Sequence, residues 1–214
     1  MHADAPDFYF EGSRNEILPF VPEGVKTCLD VGCAQGNWGK LLHDKLKIEV
    51  TGIEPTQQAK IAETKLHQVY EATFDDVYEQ LKPKQFDLIT FNDVLEHLVD
   101  PWDTLNKCKQ LLNEHGYLIA SLPNVRFYGN LKELIFEKDW RYREEGILDK
   151  THLRFFTKKS GEALFDSCGY TVKRVEGINA FHSTKLKIYS KLLGGLLDDC
   201  FALQHVYVCQ LKSK

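Results

Sequence analysis

Apolar runs alternate with amphipathic stretches through the first 124 residues of this chain. Short apolar runs, the pattern of buried strands, occupy residues 27–32, 49–53, 68–72, 86–92 and 117–122. Apolar positions with helical spacing lie between them, at residues 38–45, 57–66, 77–81 and 102–112. This alternation predicts a parallel sheet with crossover helices. The run at 86–91 is apolar almost throughout, which suits a strand covered on both faces.

The pattern changes after residue 122. Residues 123–150 are rich in aromatic and charged side chains. Regular elements then return as a helix at 158–168, a strand at 170–175, a helix at 184–197 and a strand at 205–211. Gly194 and Gly195 are a candidate break in the second helix. The last helix carries an apolar stripe that predicts core contacts, with a dimer interface as the alternative. The stripe consists of Leu186, Tyr189, Leu193 and Leu196.

Length, charge and cysteine usage limit the class of protein. A chain of 214 residues is long enough for one α/β domain and short for two. The net charge of −4 gives no general attraction to nucleic acid or anionic membrane. The six cysteines form no C-x-x-C pair, which favours buried thiols in a cytoplasmic protein and argues against zinc or iron–sulfur sites. We expect no metal, no signal peptide and no membrane span.

Small residues form a tight turn between the first predicted strand and the first helix. The segment is Leu29-Asp30-Val31-Gly32-Cys33-Ala34-Gln35-Gly36. Glycine and alanine let the backbone come close to a bound molecule, because little side chain intervenes. The turn therefore predicts a site for a nucleotide-like ligand.

Polar residues also follow the second, third and fourth predicted strands. Glu54 follows the second, the segment 72–76 the third, and the segment 92–97 the fourth. Ligands of open α/β sheets bind at these carboxyl ends, and an acid there can accept hydrogen bonds from both ribose hydroxyls. Each has a plainer alternative: Asp30 as a backbone cap, Glu54 as a solvated acid and His97 as a packing residue.

Together these motifs resemble the class I S-adenosylmethionine-dependent methyltransferases. The resemblance rests on the turn at 29–36, on Glu54, on the segment 86–98 and on the segment 111–118, and it covers residues 25–124. It implies a Rossmann-like three-layer sandwich with a mostly parallel seven-stranded sheet and an antiparallel last strand. The implied cofactor is S-adenosylmethionine, with S-adenosylhomocysteine as product.

The resemblance also implies roles for individual residues. Asp30 and the backbone of the turn would hold the amino-acid end of the cofactor, Glu54 with Pro55 the ribose, and Asn92 with Asp93 the methionine side. Thr73 and Phe74 would flank the adenine. The turn residues concerned are Gly32, Cys33, Ala34 and Gly36.

Two positions depart from the family pattern. Ala34 replaces a usual glycine, and its methyl group is expected to be tolerable only if φ is negative. Thr73 replaces an acid that many relatives carry after the third strand, so the residue that meets the adenine amino group is left open.

Two other classes of protein share parts of this pattern. A nicotinamide-dependent oxidoreductase has a similar turn, but its usual spacing is G-x-G-x-x-G, whereas this chain reads Gly32-x-x-x-Gly36-x-x-Gly39. A non-catalytic cofactor-binding protein would keep the turn and lack a substrate pocket. The aromatic-rich insert argues against that second alternative.

The insert at residues 125–157 is where we expect the acceptor to bind. Its segment 149–156 resembles one in relatives linked to glycan pathways. His152 is the candidate general base, His97 the second candidate, and Arg154 could bind an anionic group; alternatively, His152 and Arg154 stitch the insert to the sheet. We expect O-methylation of a small molecule with a sugar-type or phenolic hydroxyl.

The remaining expectations concern the ends of the chain and its assembly. Residues 1–24 are expected to form an N-terminal lid and helix, with Phe8, Tyr9 and Phe10 over the cofactor and a helix at 14–20. Residues 25–124 form the cofactor-binding half and 158–214 the C-terminal helices and strands of a single domain. The expected assembly is a monomer or a homodimer, with the dimer interface as the minority alternative.

Overall fold

A seven-stranded sheet runs through the centre of the protein. The computed structural model describes residues 13–181 and 183–212, so the expected lid residues Phe8, Tyr9 and Phe10 lie outside it. The strands are β1 (Thr27–Val31), β2 (Glu49–Ile53), β3 (Gln68–Tyr70), β4 (Phe86–Asn92), β5 (Leu112–Pro123), β6 (Tyr170–Ala180) and β7 (Ala202–Leu211).

The strand order is β3-β2-β1-β4-β5-β7-β6. Strands β1 to β5 pair in parallel, and β7 is antiparallel to both β5 and β6. The predicted fold class, a mostly parallel sheet with an antiparallel last strand, is therefore confirmed. Connections after β1 and β4 lead to opposite edges of the sheet, which opens a crevice beyond the ends of these two strands.

Seven α-helices accompany the sheet in the described residues. They are α1 (Asn37–Leu46), α2 (Ala59–Ala62), α3 (Phe74–Leu81), α4 (Pro101–Cys108), α5 (Tyr128–Lys132), α6 (Lys158–Ser167) and α7 (Thr184–Leu192). The helix expected at 14–20 is reduced to a 3-10 turn, Leu18–Phe20. Pro19 has no N–H to donate to the Asn15 carbonyl, so an α-helical hydrogen bond cannot form there. The helix expected to reach residue 112 ends at Cys108, because Leu112 already pairs with Phe86 in the sheet.

Two hydrophobic cores lie on opposite faces of the sheet. Leu29 and Ile89 belong to the larger core, whereas their neighbours Cys28 and Leu88 belong to the smaller one. Successive residues of a strand point to opposite faces, so each strand supplies both cores. The sheet is thus the middle layer of the predicted three-layer sandwich.

The six cysteines are buried free thiols in the described chain. No helix within the described ranges is long and apolar enough to cross a lipid bilayer.

The apolar stripe near residue 190 does not form the predicted core contacts. Tyr189, Leu193 and Leu196 expose 59%, 56% and 63% of their surface, and the Leu186 side chain lies outside the described residues. Helix α7 ends at Leu192, and Gly194 follows with a φ of +64°. The Leu193 N–H still donates to the Tyr189 carbonyl at 3.0 Å. The helical spacing is therefore broken at Gly194, and Leu196 does not continue the face of α7.

Helix α6 packs against β7 through a glycine. A side chain at Gly161 would collide with the Tyr207 ring and hydroxyl. Tyr207 is fully buried, and its hydroxyl donates a hydrogen bond to the Lys158 carbonyl at 3.1 Å. The ring therefore has little freedom to move away.

We predict that Gly161→Val destabilises the protein by about 2–3 kcal/mol, because overpacking at an occupied core position forces the backbone to shift. Urea unfolding followed by circular dichroism measures the loss. Lys159→Val, at an exposed position of the same helix, is the matched control and should stay within about 0.5 kcal/mol of the wild type. Equal effects of the two variants would contradict the packing argument.

Candidate active site

The turn after β1 is held by backbone hydrogen bonds to β2. The N–H groups of Gly32 and Cys33 both donate to the Ile53 carbonyl, at 2.8 and 3.0 Å. Gly32 has a φ of +74°, and a Cβ there would lie 2.5 Å from a Val94 methyl carbon. Glycine is thus required twice over, by its backbone conformation and by the close approach of Val94.

Ala34 has a φ of +49°, so the expectation of a negative φ at this position is wrong. The Ala34 N–H donates to the Glu54 carboxylate at 2.9 Å, and this bond fixes the turn in the left-handed region. The left-handed conformation costs an L-residue about 1–2 kcal/mol. The turn therefore keeps the shape that a glycine would give, at a cost that the bond to Glu54 offsets.

Glu54 lies directly after β2 and is 5% exposed. One carboxylate oxygen accepts the Ala34 N–H, and the other accepts the Thr56 N–H at 3.0 Å. Each carboxylate oxygen has two acceptor sites, so the group keeps capacity for further donors. Because it also lines a cavity, those donors can come from a ligand.

A cavity of about 630 Å³ opens beyond the ends of β1, β2 and β4. This volume is within the range of about 300–1,000 Å³ that is typical of small-molecule sites. The cavity brings together most of the residues singled out from the sequence. They are Asp30, Gly32, Cys33, Ala34, Glu54, Pro55, Asn92, Asp93, His97 and His152.

Three predicted residues do not line this cavity: Gly36, Thr73 and Phe74. Gly36 precedes α1 with a φ of +76°. Thr73 accepts a hydrogen bond from the Asp76 N–H and so begins α3, whereas Phe74 belongs to the larger core. The adenine contacts of Thr73 and Phe74 stay a prediction.

Asp30 is 2% exposed and faces the cavity. Burial raises the pKa of its carboxyl to about 7, against the opposing effect of the Thr90 hydroxyl, which donates a hydrogen bond at 2.7 Å. The Glu54 carboxylate raises this pKa further, and the Arg14 guanidinium lowers it. Near neutral pH the Asp30 carboxyl is thus divided between its two protonation states.

Besides Glu96, two buried polar side chains of the cavity wall have no hydrogen-bond partner among the described residues. They are the Trp38 indole N–H and the Asn92 amide, whose oxygen and nitrogen are both unpaired. Buried polar groups are nearly always paired in folded proteins. Both residues line the same cavity as Asp30, which suits a polar ligand that donates and accepts hydrogen bonds. Trp38 was missed in the sequence, although it lies in the first turn of α1.

Asp93 binds side chains from three distant segments of the chain at the cavity wall. Its carboxylate forms an ion pair with Arg14 at 2.5 Å and accepts hydrogen bonds from Ser121 at 2.8 Å and from Gln204 at 2.5 Å. Arg14 and Gln204 also line the cavity. They come from opposite ends of the chain, so no local pattern could have associated them with this site.

The insert docks on the segment after β4 through backbone hydrogen bonds. The N–H groups of Leu153 and Arg154 both donate to the Glu96 carbonyl, at 2.8 and 3.0 Å. The Arg154 guanidinium donates to the Val99 carbonyl at 2.6 Å and does not line the cavity. Arg154 therefore links the insert to the rest of the domain by hydrogen bonds, as the structural alternative predicted.

Glu96, His97 and His152 meet at the cavity, and we refer to them as the Glu96 cluster. Glu96 is fully buried, and His152 is 8% exposed. The Nε2 atom of His152 lies 4.0 Å from a Glu96 carboxylate oxygen, and the two imidazole centroids are 4.6 Å apart. Burial, with the Asp93 carboxylate nearby, raises the pKa of Glu96 well above its usual range. Glu96 was missed in the sequence because an acid before a histidine carries no signal of burial.

A family model described as a methyltransferase domain matches residues 7–175. Among curated proteins, the chain is 31% identical over 136 residues to a ubiquinone biosynthesis O-methyltransferase of Vibrio atlanticus (strain LGP32). That match covers 58% of this chain and 55% of the relative. The chain thus spans about half the length of this curated relative.

Solved structures share the fold. A SAM-dependent methyltransferase from Archaeoglobus fulgidus superposes with a TM-score of 0.68 at 18% identity, covering 95% of this chain and 96% of that one. The plantazolicin methyltransferase BpumL in complex with SAH gives a TM-score of 0.60 at 17% identity, covering 88% and 77%.

The family model matches well over half of the chain, and the cavity has the turn and the acid that the resemblance requires. The oxidoreductase alternative therefore falls away. The chain belongs to the class I S-adenosylmethionine-dependent methyltransferase family.

Proposed function

We propose that the protein O-methylates a small molecule at a sugar-type or phenolic hydroxyl. The observation that carries the proposal is the Glu96 cluster, which lies in the same cavity as the cofactor turn. Histidine and carboxylate side chains are the groups that most often assist removal of a hydroxyl proton. The O-methyltransferase name of the Vibrio relative supports oxygen as the acceptor atom.

The cofactor's amino-acid end would bind Asp30, Trp38 and Asn92, which line the cavity. Glu54 would accept hydrogen bonds from the ribose hydroxyls with its remaining acceptor sites. When bound, S-adenosylmethionine supplies a methyl group made electrophilic by the sulfonium.

The protein's own contribution is to align the acceptor and to keep water out. Gly146 and Ile147 of the insert line the cavity with His152, so the insert covers the same space that the turn opens. Fixing the two reactants in line removes much of the entropic barrier to their reaction. The Glu96 cluster would then assist loss of the hydroxyl proton.

We predict that wild-type protein binds S-adenosylhomocysteine with micromolar affinity and that Glu54→Gln weakens this binding by roughly 10–100-fold. The expected loss corresponds to charge-assisted hydrogen bonds of about 1.5–3 kcal/mol. Isothermal titration calorimetry measures both affinities. Glu63→Gln, an exposed acid of the same strand–helix–strand unit, should bind like the wild type. Tight binding of NAD and none of S-adenosylhomocysteine would overturn the proposal.

Binding of S-adenosylhomocysteine should strengthen by about eightfold between pH 6 and pH 7.5. The raised pKa of Asp30, about 7, means that the free protein holds a proton there at pH 6. The ligand's ammonium favours the charged carboxylate, so binding expels that proton. The free-energy cost of removing the proton vanishes as the pH rises through 7. Asp30→Asn should bind more weakly and flatten the profile. An unchanged slope in Asp30→Asn would exclude this assignment.

We predict that His152→Ala keeps affinity for S-adenosylhomocysteine but lowers methyl transfer by about 100-fold or more. Phenols, catechols and sugars, screened for S-adenosylhomocysteine formation, provide the acceptor. His67→Ala removes an exposed imidazole and should keep full activity. A fully active His152→Ala variant would place the chemistry elsewhere.

A further inference from the structure

The Glu96 cluster has the composition of a metal-binding site. One ligand atom from each of Glu96, His97 and His152 lies within 4.8 Å of the others. In the described part of the chain, neither carboxylate oxygen of Glu96 has a hydrogen-bond partner, although the side chain is fully buried. A buried carboxylate left without donors is costly and needs either a proton or a cation.

We propose that the Glu96 cluster binds a divalent transition-metal cation and that the acceptor hydroxyl completes its coordination. Coordination of the acceptor hydroxyl rests on the proposed function, since it concerns the same cavity. Binding of the cation depends on the three side chains alone.

Backbone contacts orient the His152 imidazole as a metal ligand. Its Nδ1 lies 3.0 Å from the Ile147 carbonyl, so Nδ1 carries the proton and donates. The lone pair is then on Nε2, the atom that faces Glu96 at 4.0 Å. Metal-binding histidines commonly donate their second N–H to a carbonyl in this way, which fixes both tautomer and ring orientation.

His97 has a comparable arrangement. Its Nδ1 lies 3.3 Å from the Thr151 carbonyl and 3.1 Å from the Thr151 hydroxyl. We assign Nε2 as the coordinating nitrogen. Thr151 precedes His152, so the same short segment of the insert supports both imidazoles.

The separations suit a cation. A distance of 4.0 Å is too long for a hydrogen bond between His152 and Glu96. Metal–ligand bonds of about 2.0–2.2 Å place neighbouring ligands of one ion roughly 3–3.5 Å apart. Adjustments of about 1 Å or less per side chain would therefore close the site around an ion.

The ligand set selects the class of cation. Two imidazoles and one carboxylate suit Mn²⁺, Fe²⁺, Co²⁺ or Zn²⁺ better than Mg²⁺ or Ca²⁺, which prefer oxygen ligands. Three protein ligands leave open positions for an acceptor oxygen. The sequence-based expectation of no metal considered cysteine spacing and could not include this set, because His152 is 55 residues from His97 along the chain.

The cation gives the cluster a defined chemical role. A hydroxyl bound to it has a lowered pKa and passes its proton to solvent water. The oxygen lone pair then forms the O–CH₃ bond, while the S–CH₃ bond breaks and its electron pair stays on sulfur, giving S-adenosylhomocysteine. The two imidazoles act as ligands in this scheme, so neither serves as the general base.

Cobalt binding tests the site without any methyl acceptor. Protein treated with EDTA and desalted is titrated with Co²⁺, with calorimetry for stoichiometry and visible absorption for coordination. We expect one Co²⁺ per chain, with affinity lowered at least tenfold in Glu96→Gln and in His152→Ala. The control His67→Ala should match the wild type, since an exposed imidazole away from the cavity contributes no ligand.

Circular dichroism and thermal melting show whether the variants fold, and Glu96→Gln preserves the shape of the side chain. Absence of Co²⁺ binding, or equal binding by all variants, would overturn the inference even if S-adenosylhomocysteine binds normally. Full methyl transfer by EDTA-treated wild type would assign the histidines to proton transfer instead. Site-specific Co²⁺ binding without methylation of any hydroxyl acceptor would support the cation site and count against the proposed function.

Discussion

The pairing of β1 with β4 is the constraint on which the site depends. Asp30 lies opposite Thr90 in this register, and the Thr90 hydroxyl donates to the Asp30 carboxylate. Because the chain leaves the two strands toward opposite edges of the sheet, the cofactor turn and the segment containing Glu96 face each other across a crevice. A one-residue shift in the register of β1 against β4 would point the Asp30 side chain into a hydrophobic core. It would also move the Leu29 side chain to the side of the cavity.

Burial of acids in this crevice carries a cost that the free protein does not fully offset. Asp30 and Glu96 are both nearly or fully buried, and burial raises the pKa of each. The Ala34 backbone adds local strain. Sites that bind charged ligands are commonly destabilised in this way. The packing of the two hydrophobic cores elsewhere in the fold offsets the loss of stability.

Much of the fold and half of the site could be predicted from local sequence. Strand periodicity and the helix–strand alternation specified the sheet, and the turn and Glu54 follow each other closely enough to form a motif. Arg14, Gln204 and the relation of Glu96 to His152 could not be predicted, because tertiary contacts alone bring them together. The glycines that end α7 are visible in the sequence, but the exposure of Leu193 and Leu196 depends on how the helix lies on the rest of the fold.

The charge of the cavity connects the two ligands that we assign to it. Five acids line the cavity beside the single arginine Arg14 among the described lining residues: Glu16, Asp30, Glu54, Asp93 and Glu96. Glu16 lies 4.0 Å from the Arg14 guanidinium. Such a site repels the pyrophosphate of a dinucleotide and attracts an ammonium, a sulfonium or a divalent cation. Asp93 is neutralised by Arg14, and Glu54 is held by backbone N–H groups. Asp30 and Glu96 are the acids left to respond to a ligand, one on each side of the crevice. The positively charged end of the cofactor would pair with Asp30, and a metal ion would bind Glu96.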